Sequence, residues 1–197
     1  MLKNRRLWIL LGAIVVLSAA FLFLNFHAAV SNTQSTNNSI TTGIGEGMPY
    51  AMQRRDKISI ALVEEGPLAS ALQKALAEKM NYAGMGDIEA VQGLKPVYPN
   101  PVLVVKVSEP GLLWTPLFAT GRFAIQAGYS SGGDTTFMGE TPGTIDNKNG
   151  PALMMHTEYK VSDRSWGLIS RPGYHQILAD YLAQQIVASL KDLYKIS

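Results

Sequence analysis

Hydrophobic and polar positions divide the chain into three stretches of different character. Leu7 to Leu24 carries no charge and no proline and is apolar on every face of a helix. At 1.5 Å per residue such a run crosses most of a bilayer's hydrocarbon core, so it predicts a transmembrane helix. Ser31 to Asp56 is rich in Ser, Thr, Asn and Gly, with few large apolar groups. A stretch of that kind cannot bury enough surface to offset its ordering entropy, and it predicts a flexible linker. From Lys57 onward, periods of two and of three to four residues take turns, as in a folded domain.

Within that domain Lys57 to Val63 alternates, with Ile58, Ile60 and Leu62 on one face, and predicts a strand. Gly66-Pro67 then opens a helix, proline suiting the first helical position. Leu68, Leu72, Leu76 and Met80 form its stripe, and Asn81 and Gly84 end it. A short strand is expected at Ile88 to Val91 and a stronger one at Val102 to Val107, turned by Glu109-Pro110-Gly111. Leu117 to Tyr129 reads as a strand in which Gly121 and Gly128 mark bulges or close backbone approach. The glycine-rich stretch from Ser130 to Pro151 reads as a long flap.

Ala152 to Val161 alternates again. Leu153, Met155, Tyr159 and Val161 are expected on a buried face, with His156, Glu158 and Lys160 on a wet one. Asp163 to Ser165 reads as a turn before a last short strand, Trp166 to Ile169. Tyr174 to Tyr194 is the best amphipathic helix of the domain. The expected organisation is a basic start and signal anchor over 1–30, a linker over 31–56 and an α+β domain over 57–197. In that domain a mostly antiparallel sheet carries two amphipathic helices on one face.

Charge sharpens this picture. Lys3, Arg5 and Arg6 precede the apolar run, and no acidic residue does. Basic residues stay on the cytoplasmic side, so the C-terminal domain is expected outside a single-pass cell-membrane anchor. Ser18-Ala19-Ala20 offers a signal-peptidase site, but cleavage there would leave Phe21 to Leu24 as an apolar new terminus, which favours an uncleaved anchor. Beyond the anchor 14 basic residues face 15 acidic ones. No basic stripe offers itself to phosphates, and nucleic acid is not an expected partner. Cysteine is absent, which removes disulfides, thiol catalysis, cysteine-based zinc sites and a lipidated N-terminus together.

Candidate chemistry is sparse. His156 and Glu158 share one strand face at a spacing of two and are the candidate acid and base of an enzyme whose site lies under the 130–151 flap. A solvated strand face explains the same residues. Asp146 to Gly150 departs from a calcium loop, with Lys148 at the third position and no closing glutamate. No serine stands in a nucleophile-elbow context, and no cofactor or metal signature is present.

The pattern formed by Lys57–Val63, Leu68–Met80 and Tyr174–Tyr194 resembles small anchored bacterial envelope proteins of the transport-auxiliary and assembly type. That resemblance implies an accessory domain that binds a partner protein or an envelope ligand. The expected function is therefore non-catalytic accessory binding by a membrane-tethered domain. The hydrolase-like enzyme, and a module binding an apolar ligand between helix and sheet, stand as alternatives.

Overall fold

A computed structural model describes residues 2–42, 57–139 and 153–194. Helix α1 (Leu2–Phe23) is followed by strands β1 (His27–Thr42) and β2 (Lys57–Leu62), helix α2 (Pro67–Tyr82) and strand β3 (Asp87–Val91). Strands β4 (Val102–Thr115), β5 (Phe118–Ser130) and β6 (Met154–Ile169) precede the final helix α3 (Arg171–Tyr194). The strands form one mixed sheet in the order β1-β6-β5-β4-β2-β3. β2 runs parallel to β3 and β4, and every other pairing is antiparallel. The α+β class and the mostly antiparallel sheet agree with the sequence pattern.

Helices α2 and α3 pack on one face of the sheet, here called the inner face. Leu72 and Leu76 of α2 and Leu178, Leu182 and Ile186 of α3 meet Ile58, Ile60, Leu103, Val105 and Ile125 in one buried cluster. Among the described residues, the opposite, outer face is covered at one end. There the bridge Val97–Asp134 and the 3-10 turn Thr136–Gly139 bring Tyr98 and Met138 over Val102 and Val104.

Several expected features take another form. The stretch read as a linker is strand up to Thr42: β1 pairs with β6 from His27–Ile169 to Thr42–Met154. Residues 43–56, the rest of that linker, lie outside the described residues. β1 lacks apolar alternation because its inward residues are hydroxyls with partners on β6 and α3. Ser31 bonds Ser165 (2.8 Å), Thr33 donates to Asp163 (2.7 Å), and Ser35 bonds the Tyr181 hydroxyl (2.9 Å).

Asp163 to Ser165 is the middle of a continuous strand rather than a turn. Its carboxylate is buried and accepts from Thr33 and Ser165, which satisfies the group that favours turns when solvated. Glu109-Pro110-Gly111 likewise does not end its strand. The pairing of β4 with β5 shifts register between Ser108 and Gly111, and the strand resumes to Thr115. Gly121 marks the close approach the sequence suggested, since a Cβ there would enter the Phe123 ring. Of the 130–151 flap, residues 140–152 lie outside the described residues.

The α1 segment coincides with the apolar run. Side chains in it are described from Trp8, and among the described residues no helix is long and apolar enough to cross a membrane. Trp8, Ile9, Val15, Val16 and Phe23 are all more than 60% exposed, while Phe21 and Leu22 at the end of the helix meet the domain.

Candidate functional site

The junction between α1 and the sheet is short and tightly bonded. Only Leu24, Asn25 and Phe26 separate the end of α1 from the start of β1. Ser170, the residue before α3, closes the junction with four bonds. Its Oγ accepts from the Phe26 N–H (3.0 Å) and the Gly173 N–H (3.1 Å) and donates to the Phe26 carbonyl (2.9 Å). Its own N–H donates to the same carbonyl (3.1 Å). A Cβ on Gly173 would run into that carbonyl, so only glycine admits the approach. Phe21 and Phe26 meet edge to face at 4.8 Å. The apolar helix is thus joined to the sheet through a fixed corner.

From this corner the outer face of β1, β6 and β5 is exposed among the described residues, and its composition changes along the strands. Nearest α1, Val30, Trp166 and Phe118 lie side by side in register, with Leu168 one step closer to the helix. Val30 is 78% exposed and Trp166 63%, and the Trp166 and Phe118 rings sit 4.3 Å apart. Arg164 follows beside Asn32 and Thr120, then Arg122 beside Ser162, then Lys160 beside Ala124 and Thr36. All three cations are exposed. The face is therefore apolar for about 10 Å from the junction and basic over the next three rows, at about 3.3 Å per residue.

Glu158 comes one row further, between Asn38 and Gln126, and is half-buried. His156 follows, paired with Gly128 and Ile40. The wet face expected for it does not hold: His156 is 3% exposed. Burial lowers its pKa, opposed by the Glu158 charge, so the imidazole is neutral at pH 7. The two candidate acid–base groups thus share a face as their spacing requires, one within the core and one at its rim. Among the described residues no group of three or more acidic or histidine side chains is arranged to hold a metal ion.

The inner side of the same strands is polar in a different way. Asp163 is 1% exposed and sits among Thr33, Ser165 and the Tyr174 phenol. Burial, with the Asp163 carboxylate beside it, holds that phenol well above its ordinary range. Sequence periodicity had no means of finding this cluster, because Asp163 and Ser165 look like a turn and Ser31 and Thr33 like a linker. The basic band was discoverable in principle: Lys160, Arg164 and Arg122 become neighbours once β5 and β6 are paired.

No protein-family profile matches the chain, and no curated protein sequence is similar to it. Solved structures that match the chain include two of PelC. A leucine-to-methionine variant of the PelC dodecamer from Paraburkholderia phytofirmans shares 14% identity at a TM-score of 0.39, over 75% of this chain and 94% of that one. A second PelC dodecamer from the same organism shares 15% identity at 0.37, over 77% and 96%. What the site can do rests on this chain's own residues.

Proposed function

We propose that this is a membrane-anchored, non-catalytic accessory domain that presents a basic sheet face to an acidic surface of a membrane-borne partner protein. The apolar helix lies in the bilayer with Lys3, Arg5 and Arg6 on the cytoplasmic side, and the α+β domain stands outside. The observation that carries this reading is the corner at Phe26 and Ser170. It joins an exposed apolar helix to β1 with three intervening residues, beside a sheet face that is exposed among the described residues. A domain held so close reaches partners at the membrane surface rather than far from it. Trp166 and Phe118 suit the interfacial zone, where aromatic rings concentrate. Arg164, Arg122 and Lys160 rise above that zone, and the residues paired with them across β1, β5 and β6 are uncharged; paired surfaces of opposite charge fix orientation and partner choice.

Alkaline extraction of the full chain from membranes, with external protease on intact spheroplasts, tests the anchor. The chain stays in the membrane fraction and its C-terminal domain is digested from outside; release by alkali, or protection, overturns the placement. Photo-crosslinkers at Arg122 and at Gln184, on the exposed side of α3, test the partner face. One membrane protein is captured from position 122 and not from position 184, and capture from 122 is lost when K160E and R164E are added. Equal capture from both positions, or capture that survives charge reversal, overturns the basic face as the docking surface.

A further inference from the structure

Large apolar side chains are left exposed at one end of the sheet. Beyond α1 and its corner, eight are exposed among the described residues, and five of them gather where the sheet adjoins the helix: Val30, Leu113, Leu117, Trp166 and Leu168. Leu168 lies beside Ala28 in the row nearest α1, and Val30, Trp166 and Phe118 form the next row. Leu117 occupies the turn between β4 and β5, and Leu113 pairs with Thr120 one row further on. The turn is held in place. The Gly167 and Ile169 N–H groups of β6 donate to the Leu117 and Pro116 carbonyls, both at 3.0 Å. These side chains are thus neighbours on a fixed frame, and a contiguous apolar patch marks an interaction surface where scattered apolar residues do not.

Two observations identify the covering medium as lipid. The first is the neighbouring helix. Phe23 and Leu24, at the exit of α1, are exposed, and only Asn25 and Phe26 follow before β1 begins. The Ser170 bonds fix that corner. Val30 is four residues past Phe26, about 13 Å along the strand at about 3.3 Å per residue, so the medium around the end of α1 reaches the patch as well. The second observation is charge. The row of Leu168 and the row of Val30, Trp166 and Phe118 hold no acidic or basic side chain, and cations begin with Arg164 in the row beyond. An apolar and aromatic zone bordered by cations is the composition that suits a bilayer interface. A planar lipid surface touches all of these residues together, because they occupy one level of β1, β6 and the β4–β5 hairpin.

We propose that this end of the sheet is seated in the interfacial layer of the bilayer, with Val30, Trp166, Phe118, Leu168 and the turn at Leu117 beside the exit of α1 and Arg164 at the outer limit of the buried zone. This inference deepens the anchor reading above and rests on it. It adds that the domain meets lipid through its sheet as well as through its helix, so it is docked on the bilayer and not merely tethered to it.

The chain's own tryptophans supply the test: Trp8 lies in α1, Trp166 in the patch and Trp114 on β4. The full chain is reconstituted into phosphatidylcholine vesicles, plain or brominated on the acyl carbons nearest the glycerol, where bromine quenches tryptophan on contact. W114F/W166F leaves Trp8 as the emitter, and W8F/W114F leaves Trp166. K160W, in a background without the three native tryptophans, reports from the last basic row. Brominated lipid is expected to quench Trp8 and Trp166 by about half or more, and the reporter at position 160 by less than a tenth. Trp8 quenched with Trp166 unquenched overturns the seating and leaves the anchor standing; Trp8 unquenched defeats the anchor itself. Equal quenching at positions 166 and 160 overturns the seating too, since the whole face would then lie on lipid. Trp166 shielded from acrylamide yet indifferent to bromine means that protein, such as a second copy, covers the patch, and overturns lipid as its partner. L113D/L117D alters exposed side chains and is expected to halve the quenching of Trp166 while leaving that of Trp8 unchanged; no change at Trp166 overturns the turn's place in the surface. W114F removes a hydrogen bond to the Ile169 carbonyl, so W166F is also compared directly with the wild type. The bromine-sensitive emission falls in W166F, and emission of unchanged sensitivity overturns the seating.

Discussion

The inner face of the sheet is built in two ways at its two ends. Toward β2 and α2 it is apolar: Ile58, Ile60, Leu72, Leu76 and Leu103 are fully buried against one another. Toward β1 and β6 it is a polar seam of Asp163, Ser165, Thr33, Ser31 and Ser35, closed by Tyr174 and Tyr181. Burial of hydrocarbon is non-directional and tolerates small shifts. A chain of side-chain hydrogen bonds is directional and fixes one register. The first end therefore supplies most of the stability, and the second specifies where β1 lies. Since β1 carries the corner to α1, the polar end also sets how α1 leaves the sheet.

The largest effect separating the two ends is expected from Leu72→Ala, which empties a fully buried site between α2 and the sheet. A loss of about 2–5 kcal/mol is the usual range for such truncations, read as a lower midpoint in denaturant unfolding of the full chain in detergent. Hydrogen exchange should rise across α2, β2 and β4 together. An effect confined to α2 would mean that this end is not the cooperative core.

Asp163→Ala should follow, at about 1–3 kcal/mol, because it leaves the Thr33 and Ser165 hydroxyls without their acceptor in a buried place. Its signature is local. Amides of β1 exchange faster while those of α2 do not, and Asp163→Asn, which keeps one carbonyl acceptor, falls between wild type and Ala. Uniform loss of protection across the sheet would remove the distinction between the two ends.

The same difference explains what was legible in the sequence. Ile58, Ile60 and Leu62, the Leu68–Met80 stripe and the stripe of α3 announced themselves, because burying hydrocarbon imposes a period of two or of three to four residues. β1 was invisible for the complementary reason. Its inward positions are Ser31, Thr33 and Ser35, whose partners lie more than 100 residues away, and nothing local distinguishes a hydroxyl with a distant partner from one in a linker. His156 was placed on the correct side of its strand, together with Glu158. Its burial is set by tertiary packing, which alternation along a single strand does not report.

A pH effect smaller than either substitution should come from the two buried histidines, His156 on the outer face of β6 and His175 in the first turns of α3. Burial is the main cause lowering the pKa of each. The unfolded chain therefore binds more protons than the native one below the ordinary histidine value of about 6.5. Stability should be level above that pH and fall as pH drops through it, until the lowered native pKa values are reached. Unfolding midpoints between pH 7.5 and 5 should show this fall, with a shallower slope in His156→Gln. An unchanged slope would place the pH dependence at His175 alone or at the carboxylates.

The smallest effect is expected at the outer margin of the apolar end, where Lys57 and Glu89 pair across β2 and β3 at 2.9 Å with both side chains close to half exposed. The hydrogen bond and charge of Glu89 raise the Lys57 pKa. Whatever the pair contributes is therefore present at all pH values below the unfolded lysine's and is lost only as pH rises through the raised native value. At neutral pH it is screened by water and salt. Lys57→Gln should leave the unfolding midpoint unchanged at 0.15 M salt and shift it slightly at low salt. A loss at 0.15 M salt comparable to that of Asp163→Ala would show that a surface ion pair holds β3 in place, and the apolar end would then owe part of its order to directional bonds as well.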